Sequence, residues 1–311
     1  MALISRRQAG RRILAGAAGA LVAGRRAALA GEAPAAGAAS PMIDSVVRGV
    51  QIGAQSYSFR DRDLDAAIQA YVECGLGECE LSQGHVEPRG NRRGGEFAKV
   101  REWRLNTPLA FFEAVRKKFD DAGVLLYAYN YSFNKFMSDA EIERGFQMAE
   151  AMGVKYITAS SQVSIAHKVD TFAQKYKIMV GFHGHDNTRN PDEFSTAETF
   201  ARAMDGASPY VGVNLDIGHF TAAGGDALAY IREHHDKIVT LHIKDRKKDH
   251  GANLPFGQGD TPIAAALRLL RDNQWKIPAN IEYEYGEEIK GLDTVAEVKK
   301  CVAYCRQALE T

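Results

Sequence analysis

The feature that most constrains this chain is an alternation of short β-rich runs with longer amphipathic stretches, repeated eight times from Val47 onward. The pattern predicts strands at Val47–Ser56, Gly77–Leu81, Leu125–Tyr131, Lys155–Ser160, Ile178–His183, Val211–Leu215, Ile238–Ile243 and Ala279–Tyr285. It predicts helices at Leu64–Cys74, Pro108–Ala122, Asp139–Met152, Val163–Tyr176, Pro191–Met204, Asp226–Asp236, Pro262–Asn273 and Thr294–Ala308. Strands that alternate with helices form a parallel sheet. Eight such units predict an α/β fold of the closed (β/α)8 TIM-barrel type rather than an open sheet.

The residues at predicted helix ends agree with this alternation. Asp139 and Asp192 lie where N-caps are expected, and Gly123 and Gly153 lie where helices should end before strands. One connection, Gln83–Asn106, is much longer than the others and rich in arginine. Because it follows a strand, it should lie on the catalytic face of the barrel. It is either a lid over that face or a solvated basic loop.

The N-terminal segment, residues 1–40, has a composition unlike the rest of the chain. Ser5-Arg6-Arg7 precedes an apolar stretch, Ile13–Gly24, and Ala28-Leu29-Ala30 offers a cleavage site. A basic start, an apolar centre and small residues at the exit predict an export signal, and the paired arginines indicate the twin-arginine route. The stretch is too short for a good membrane span, so we expect a periplasmic protein without stable membrane insertion after processing. A disordered leader is the alternative.

The charge of the chain excludes several classes of partner. It has 39 Lys plus Arg and 39 Asp plus Glu, which gives a formal net charge of zero. Such a balance creates no field that would attract nucleic acid or an acidic membrane. No GxGxxG follows the first predicted strand and no GxxxxGK[ST] occurs, so nothing indicates a nucleotide cradle. The four cysteines lack zinc or redox spacing and are expected to be buried thiols.

Polar residues cluster where the later predicted strands end. His183, Asp216, His242 and Glu282 lie at the carboxyl ends of four successive strands. In a parallel barrel these ends meet at one mouth, so the four side chains should converge there. Two imidazoles and two carboxylates form a mixed nitrogen and oxygen site that suits Mn²⁺, Zn²⁺, Co²⁺ or Fe²⁺. The sequence therefore predicts one divalent metal ion at the mouth of the barrel.

The motifs around these residues resemble a known family. Phe-His-Gly-His, Asp-Ile-Gly-His, His-Ile-Lys-Asp and Ile-Glu-Tyr-Glu, in this order, are similar to those of the sugar phosphate isomerase/epimerase group in the xylose isomerase-like TIM-barrel superfamily. The resemblance covers about Val47–Leu309 and indicates that 45–311 is the barrel domain. It implies one metal ion, such as Mn²⁺, Zn²⁺ or Co²⁺, held by Glu, Asp, His and Glu. Asp216, His242 and Glu282 match, whereas His183 stands where a glutamate is usual.

This departure affects the mechanism that the resemblance implies. In the epimerases of this family, the two ligand glutamates also transfer protons on the two faces of an enediolate. With His183 in one position, we expect Glu282 to act as the base and His185 or His219 as its partner. The implied function is a metal-dependent isomerase or epimerase acting on a keto-sugar. The alternatives are a lyase or hydratase on 3-keto-glycosides and a periplasmic sugar-binding barrel without turnover. A related apurinic-site endonuclease is disfavoured by the neutral charge.

Three further residues are candidates for substrate binding. Glu80, at the end of the second strand, is expected to bind a sugar hydroxyl or to pair with a loop arginine. Lys244 is expected to bind a substrate oxygen or to neutralise Asp245. Asp245 is itself a candidate for substrate contact or for orienting a ligand histidine. The predicted partner is thus a small-molecule sugar, with no nucleic acid, and the sequence leaves a homo-oligomer open.

Overall fold

The computed structural model describes residues 40–88, 96–287, 289 and 291–311. Its sheet is a closed barrel of eight parallel strands, in which the first strand pairs with both the second and the eighth. The strands are Val50–Gln55, Glu78–Ser82, Leu125–Asn130, Tyr156–Ala159, Met179–His183, Val211–Asp216, Ile238–Ile243 and Ala279–Ile281. The predicted TIM barrel is therefore confirmed.

Helices connect these strands on the outside of the barrel. The α-helices of the described residues are Leu64–Cys74, Glu96–Asn106, Leu109–Ala122, Asp139–Ala151, Ala166–Tyr176, Ala197–Met204, Ile217–Ala222, Ala227–His234, Ile263–Asn273 and Thr294–Glu310. The long helices other than Glu96–Asn106 turn an apolar stripe toward the sheet, as Phe112, Val115 and Phe119 do in Leu109–Ala122. Burial of these stripes against the Val-, Ile- and Leu-rich strands forms the main core.

The inside of the barrel is polar below its mouth. Asn214 and Thr240 are fully buried there with Glu80 and Asn280. Asn280 Nδ2 donates to Thr240 Oγ1 at 2.9 Å, and Thr158 Oγ1 donates to Glu80 Oε1 at 2.6 Å. Buried polar groups are retained when they are hydrogen-bonded. These bonds form a fixed polar layer directly beneath the strand ends that carry the predicted metal site.

Three predicted element starts and one predicted end were wrong by three residues or more. The α-helix predicted from Val163 begins at Ala166 after a short 3-10 turn, and the strand predicted to reach Tyr285 ends at Ile281. The first barrel strand begins at Val50 instead of Val47, because Arg48 and Gly49 adopt positive φ and turn the chain. Val46–Val47 forms a separate antiparallel pairing with that strand. Asp192 is not an N-cap, since the helix starts at Ala197 after the Thr196 cap. Asp192 instead accepts hydrogen bonds from the backbone and side chain of Ser164, which fixes one loop against another.

The other predicted helix ends agree more closely with the structure. The fourth long helix begins at Asp139 as expected, but its cap is Ser138, which forms a capping box with Glu141. Gly123 ends the preceding helix in the left-handed conformation that glycine favours. The four cysteines are buried free thiols, as predicted.

The long connection after the second strand contains a helix that the sequence pattern did not predict. This helix, Glu96–Asn106, is held against the barrel by two ion pairs. Arg104 and Glu87 form a buried bidentate pair at 2.7 and 2.8 Å, and Arg101 Nε lies 3.1 Å from Glu141 Oε1. The predicted lid also involves residues 89–95, which lie outside the described residues.

The predicted export signal stays a prediction. Residues 1–39 lie outside the part of the chain that the structure describes. Among the described residues, no helix combines the length and the apolar character needed to cross a membrane.

Candidate metal centre and active site

The barrel brings the four predicted metal ligands together. His183 and Asp216 are the last residues of the fifth and sixth strands, His242 lies in the seventh, and Glu282 directly follows the eighth. One ligand atom of each residue lies within 4.8 Å of those of the other three. All four side chains are buried. The convergence follows from the parallel register of the strands, because Asp216 pairs with His242 across the sheet.

Lys244 lies against the carboxylates of this cluster. Its Nζ is 3.0 Å from Asp216 Oδ2, 2.8 Å from Glu282 Oε2 and 2.6 Å from Glu284 Oε2. Burial alone would lower the pKa of Lys244, but these three carboxylates raise it well above its ordinary value. Lys244 is therefore an ammonium ion that neutralises part of the negative charge of the site.

His242 is held between two glutamates. Its Nε2 lies 2.8 Å from Glu80 Oε2, and its Nδ1 lies 3.1 Å from Glu282 Oε2. Burial would lower the pKa of His242, but Glu80 and Glu282 raise it well above its ordinary value. For Glu282, burial raises the pKa, yet Lys244 and His242 lower it well below the usual range. The Glu282 side chain is accordingly a carboxylate.

His183 and Asp216 supply the clearest test of whether a metal fits. Among the described residues, His183 Nδ1 is buried without a hydrogen-bond partner, and buried Asp216 Oδ2 has the Lys244 ammonium at 3.0 Å but accepts no hydrogen bond. Burial, and after it the nearby imidazoles of His242 and His185, lower the pKa of His183 well below its ordinary value. A neutral imidazole and a carboxylate with free lone pairs are the forms that bind divalent metals. The donor set therefore fits such an ion, which would displace the proton held by His242 between its two glutamates and compete with Lys244 for two carboxylates.

Asp216 also helps to position His219, the next candidate residue. It caps the short helix Ile217–Ala222 by accepting a hydrogen bond from His219 N at 2.7 Å. This turn carries the His219 ring back over the site, where its Nε2 lies 3.1 Å from Lys244 Nζ. Arg246 Nη1 lies 2.6 Å from His219 Nδ1. Asp186 Oδ1 approaches the same nitrogen at 3.6 Å, so the ring orientation is constrained on both edges.

His185 lies beside the other two candidate histidines of this face. Its ring centroid is 4.8 Å from that of His183 and 5.3 Å from that of His219. Burial, and then the neighbouring His219 and Lys244, lower the pKa of His185 to about 4. His185 is therefore neutral near pH 7 and keeps one nitrogen able to accept a proton.

These side chains surround a polar cavity of about 470 Å³. His183, His185, His219, His242, Lys244, Glu282 and Glu284 form one side of its wall. The other side comes from strand ends that the sequence analysis did not single out, namely Gln55, Ser82, Asn130, Ser132 and Ser160, with Tyr57 and Gln83 from the adjoining turns. Their position at the carboxyl ends of the first four strands was the signal that could have revealed them. The cavity is large enough for a single sugar ring.

Two predicted substrate contacts need correction. Glu80 is fully buried beneath the cavity, where it contacts His242, Thr158 and Asn214, so it cannot meet a sugar hydroxyl. It supports a ligand histidine instead. Asp245 is also buried, and its carboxylate accepts hydrogen bonds from three backbone N–H groups in the loop 257–261. Lys244, in contrast, lines the cavity and pairs with Asp216, Glu282 and Glu284 rather than with Asp245, and its binding of a substrate oxygen stays a prediction.

Comparison with known proteins places this site in a family. The family model of the xylose isomerase-like TIM barrel matches residues 85–303, which is more than half of the chain. The chain belongs to the xylose isomerase-like TIM-barrel family. The resemblance drawn from the strand-end motifs is thereby confirmed at the level of the family.

Individual known proteins resemble this chain only over a short segment or at low sequence identity. An inosose dehydratase from Bacillus velezensis is 33% identical over 84 residues, and the match spans only 27% of this chain and 27% of that enzyme. A sugar phosphate isomerase/epimerase from Parabacteroides distasonis has a TM-score of 0.62 at 16% identity, covering 88% of this chain and 100% of that one. The IolI protein with a bound zinc atom has a TM-score of 0.64 at 15% identity, covering 84% and 98%. Both solved structures have the same fold as this chain.

Proposed function

We propose that this protein is a metal-dependent lyase, which removes a proton from the carbon beside the carbonyl of a keto-sugar and expels the substituent on the next carbon. The observation that carries the proposal is the convergence of His183, Asp216, His242 and Glu282 within 4.8 Å at a polar, sugar-sized cavity. A divalent ion held by these residues would act as a Lewis acid toward the carbonyl and hydroxyl oxygens of the sugar.

Elimination is favoured over epimerisation by the distribution of carboxylates. Two carboxylates line the cavity: Glu282 belongs to the cluster, whereas Glu284 lies outside it and is paired with Lys244 at 2.6 Å, and Asp216 does not line the cavity. Epimerisation needs a proton acceptor and a proton donor on opposite faces of the same carbon, and His183 occupies the position of the usual second glutamate. A dehydratase among the curated relatives also supports elimination. An isomerase that works on one face shares the first step and is the second candidate.

In the proposed reaction, Glu282 accepts the proton as the C–H bond breaks and a C=C bond forms. The C–O bond to the leaving group breaks, and its electron pair stays on the leaving oxygen. His219, which contacts the Lys244 ammonium at 3.1 Å, returns a proton to that oxygen. His185, neutral beside them, hydrogen-bonds to the sugar and is the alternative proton acceptor. No net oxidation or reduction occurs.

The proposal is tested by NMR on keto-sugars and 3-keto-glycosides in D₂O with Mn²⁺. Elimination produces an unsaturated ketone and releases the substituent, while isomerisation moves the carbonyl and inserts deuterium without loss of a group. Asp216→Ala should lose both bound metal and reaction, and Asp205→Ala, which changes an exposed aspartate at a helix end, should lose neither. Binding of sugar without any exchange or product would instead establish a sugar-binding barrel.

We also propose that residues 1–40 are an export signal and that the mature enzyme is periplasmic. The support is the sequence pattern alone, with Arg6 and Arg7 as the arginine pair. The mature chain should begin between Gly31 and Met42, and changing both arginines to lysine should block export. N-terminal sequencing of the periplasmic product decides this, and a product that retains Met1 would disprove cleavage.

A further inference from the structure

A second cavity adjoins the polar one on the same face of the barrel. Its volume is about 760 Å³, larger than that of the sugar-sized cavity. The two cavities share Gln83, Ser132 and Ser160 as lining residues. Gln83 Oε1 accepts a hydrogen bond from Ser132 N at 2.9 Å, and Ser132 Oγ accepts one from Ser160 N at 3.2 Å. These bonds fix a narrow polar boundary between two connected spaces.

The walls of the two cavities differ in chemistry. The larger one has an apolar wall that includes Phe97, Val100, Phe133, Phe136 and Met137. Its charged lining residues are already paired, Arg101 with Glu141 and Arg104 with Glu87. Phe136 is 86% exposed and Phe97 is 57% exposed, which are high values for phenylalanine in the described residues. Exposed aromatic rings that converge on a concave surface indicate a binding site for an apolar group.

The wall that carries these rings is fixed to the barrel. Phe97 and Val100 belong to the helix Glu96–Asn106, whose Arg104 pairs with the buried Glu87. Arg144 Nε also donates to Arg104 O at 2.8 Å, near the C-terminal end of this helix. A cavity whose wall is already in place can bind a ligand without the entropic cost of ordering that wall.

We propose that the apolar cavity binds the aromatic aglycone of a glycoside whose sugar ring occupies the polar cavity. The inference rests on the proposed function for the position of the sugar ring, and it names the substrate class as aryl 3-keto-glycosides, for which unreactive aryl glucosides serve as binding probes. A free monosaccharide would fill the polar cavity and leave the larger space unused. A second sugar ring would bring many hydroxyl groups against Phe97, Phe136 and Met137, where their hydrogen bonds with water would be lost. A planar aromatic group can instead contact both phenyl rings.

Isothermal titration calorimetry on the full chain tests this inference. The probes are the methyl, 4-nitrophenyl and octyl β-glucosides and cellobiose. We expect the 4-nitrophenyl glucoside to bind about 10-fold more tightly than the methyl glucoside, since ring contacts contribute on this scale. In the Phe97→Ala/Phe136→Ala variant this ratio should fall to about 1, with unchanged affinity for the methyl glucoside. Phe111→Ala removes an exposed phenylalanine outside the cavity lining and should preserve the ratio.

The outcomes separate this inference from the proposed function. Equal affinity for aryl and methyl glucosides, or no binding of either, would overturn the aglycone site even if keto-sugars undergo metal-dependent elimination. Tighter binding of the octyl glucoside or of cellobiose would overturn the aromatic assignment. Aryl-selective binding that the double variant abolishes would support the site even if no keto-sugar reacts. Circular dichroism of the double variant confirms that its fold is retained.

Discussion

Glu80 Oε2 lies 2.8 Å from His242 Nε2, on the edge of the imidazole opposite the one that faces Glu282. A carboxylate behind a ligand histidine fixes the orientation and tautomer of the ring and increases its basicity. Glu80 is itself held by Thr158 Oγ1 at 2.6 Å, so its position is set by the polar layer inside the barrel. Glu80 of the second strand therefore supports the candidate metal site without lining the cavity itself.

This relationship predicts that Glu80→Gln weakens metal binding. The amide is nearly the same size but carries no charge, so His242 loses the partner that orients it. We expect the Kd for Mn²⁺ or Zn²⁺ to rise roughly 10- to 100-fold. Calorimetric titration of metal into the apo-protein measures the change, and an unaltered Kd would show that Glu80 has only a structural role.

Glu78 on the same strand provides the matched control. It is as deeply buried as Glu80, but burial and the neighbouring Glu80 charge raise its pKa well above the ordinary value. Glu78 is thus a neutral acid at pH 7, and Glu78→Gln exchanges one neutral group for another of similar shape. Metal affinity should remain that of the wild type. A loss equal to that of Glu80→Gln would mean that any change in this layer disturbs the site.

Lys244 leads to a second prediction, in which the substitution strengthens metal binding instead of weakening it. Its ammonium lies 3.0 Å from Asp216 Oδ2 and 2.8 Å from Glu282 Oε2, two of the proposed ligands. Like charges repel strongly at such distances in a buried site, so the ammonium and a divalent ion compete for the same carboxylates. Lys244→Met should therefore bind metal about 10-fold more tightly, a change of about 1.4 kcal/mol. It should also lose activity, because His219, the proposed proton donor, loses its contact with the Lys244 ammonium.

The measurement for Lys244→Met is a metal titration followed by electron paramagnetic resonance of Mn²⁺. Lys247→Met serves as the control, since Lys247 is half exposed and pairs with Asp260 away from the cluster. The apo form of Lys244→Met should unfold at a lower temperature than wild type and regain stability with metal, because its carboxylates then lack a cation. Weaker metal binding in this variant would contradict the competition between Lys244 and the ion.

The barrel and the convergence of the four proposed ligands could be predicted from the sequence because both depend on strand periodicity. His183, Asp216, His242 and Glu282 stand at strand ends, and parallel register brings strand ends together whatever the intervening loops do. The roles of Glu80 and Asp245 could not be predicted in this way. Whether a side chain near a strand end lines the mouth, lies beneath it or turns into a loop depends on the pleat and the local turn, which periodicity alone does not resolve.

The helix Glu96–Asn106 was missed for a different reason. Its segment has no continuous apolar stripe, which is the signal that normally predicts a helix. It is stabilised by tertiary ion pairs, chiefly that of Arg104 with the distant Glu87, and arginines in such a segment had suggested a loop. The apolar cavity formed by this helix was consequently also beyond prediction.

Asp186 gives a prediction on pH and stability. The His219 imidazole, and with it the Arg246 guanidinium at 3.1 Å, hold the pKa of Asp186 well below its ordinary value, against the effect of burial. Because the folded pKa is lower than the unfolded value of about 3.9, the carboxylate stabilises the folded protein fully above that pH and less as the pH falls below it. Asp186→Asn should therefore reduce the free energy of unfolding by about 1 kcal/mol at pH 7.

The pH dependence of that difference is the decisive measurement. Urea unfolding of wild type and Asp186→Asn at pH 7, 5 and 3.5 should give a difference that is constant between pH 7 and 5 and smaller at pH 3.5. Asp205→Asn, at an exposed helix end, should show little difference at any of these pH values. A difference that grows on acidification would mean that the Asp186 carboxyl is destabilising in the folded state.

The last prediction concerns the base. Glu282→Gln keeps the shape of the side chain and one oxygen ligand but removes the proposed proton acceptor. Loss of a general base lowers the rate by about 10² to 10⁴, so proton exchange at the substrate carbon should fall by that factor. Metal content must be measured on the same sample, because Glu282 is also a proposed ligand. His183→Glu should restore a two-carboxylate arrangement and raise epimerisation relative to elimination, as seen in the stereochemistry of deuterium incorporation. If Glu282→Gln retains metal and exchanges the carbon-bound proton as fast as wild type, Glu282 is a ligand alone. The base would then be His185, whose neutral imidazole lines the same cavity, and His185→Gln would be the variant that stops the exchange.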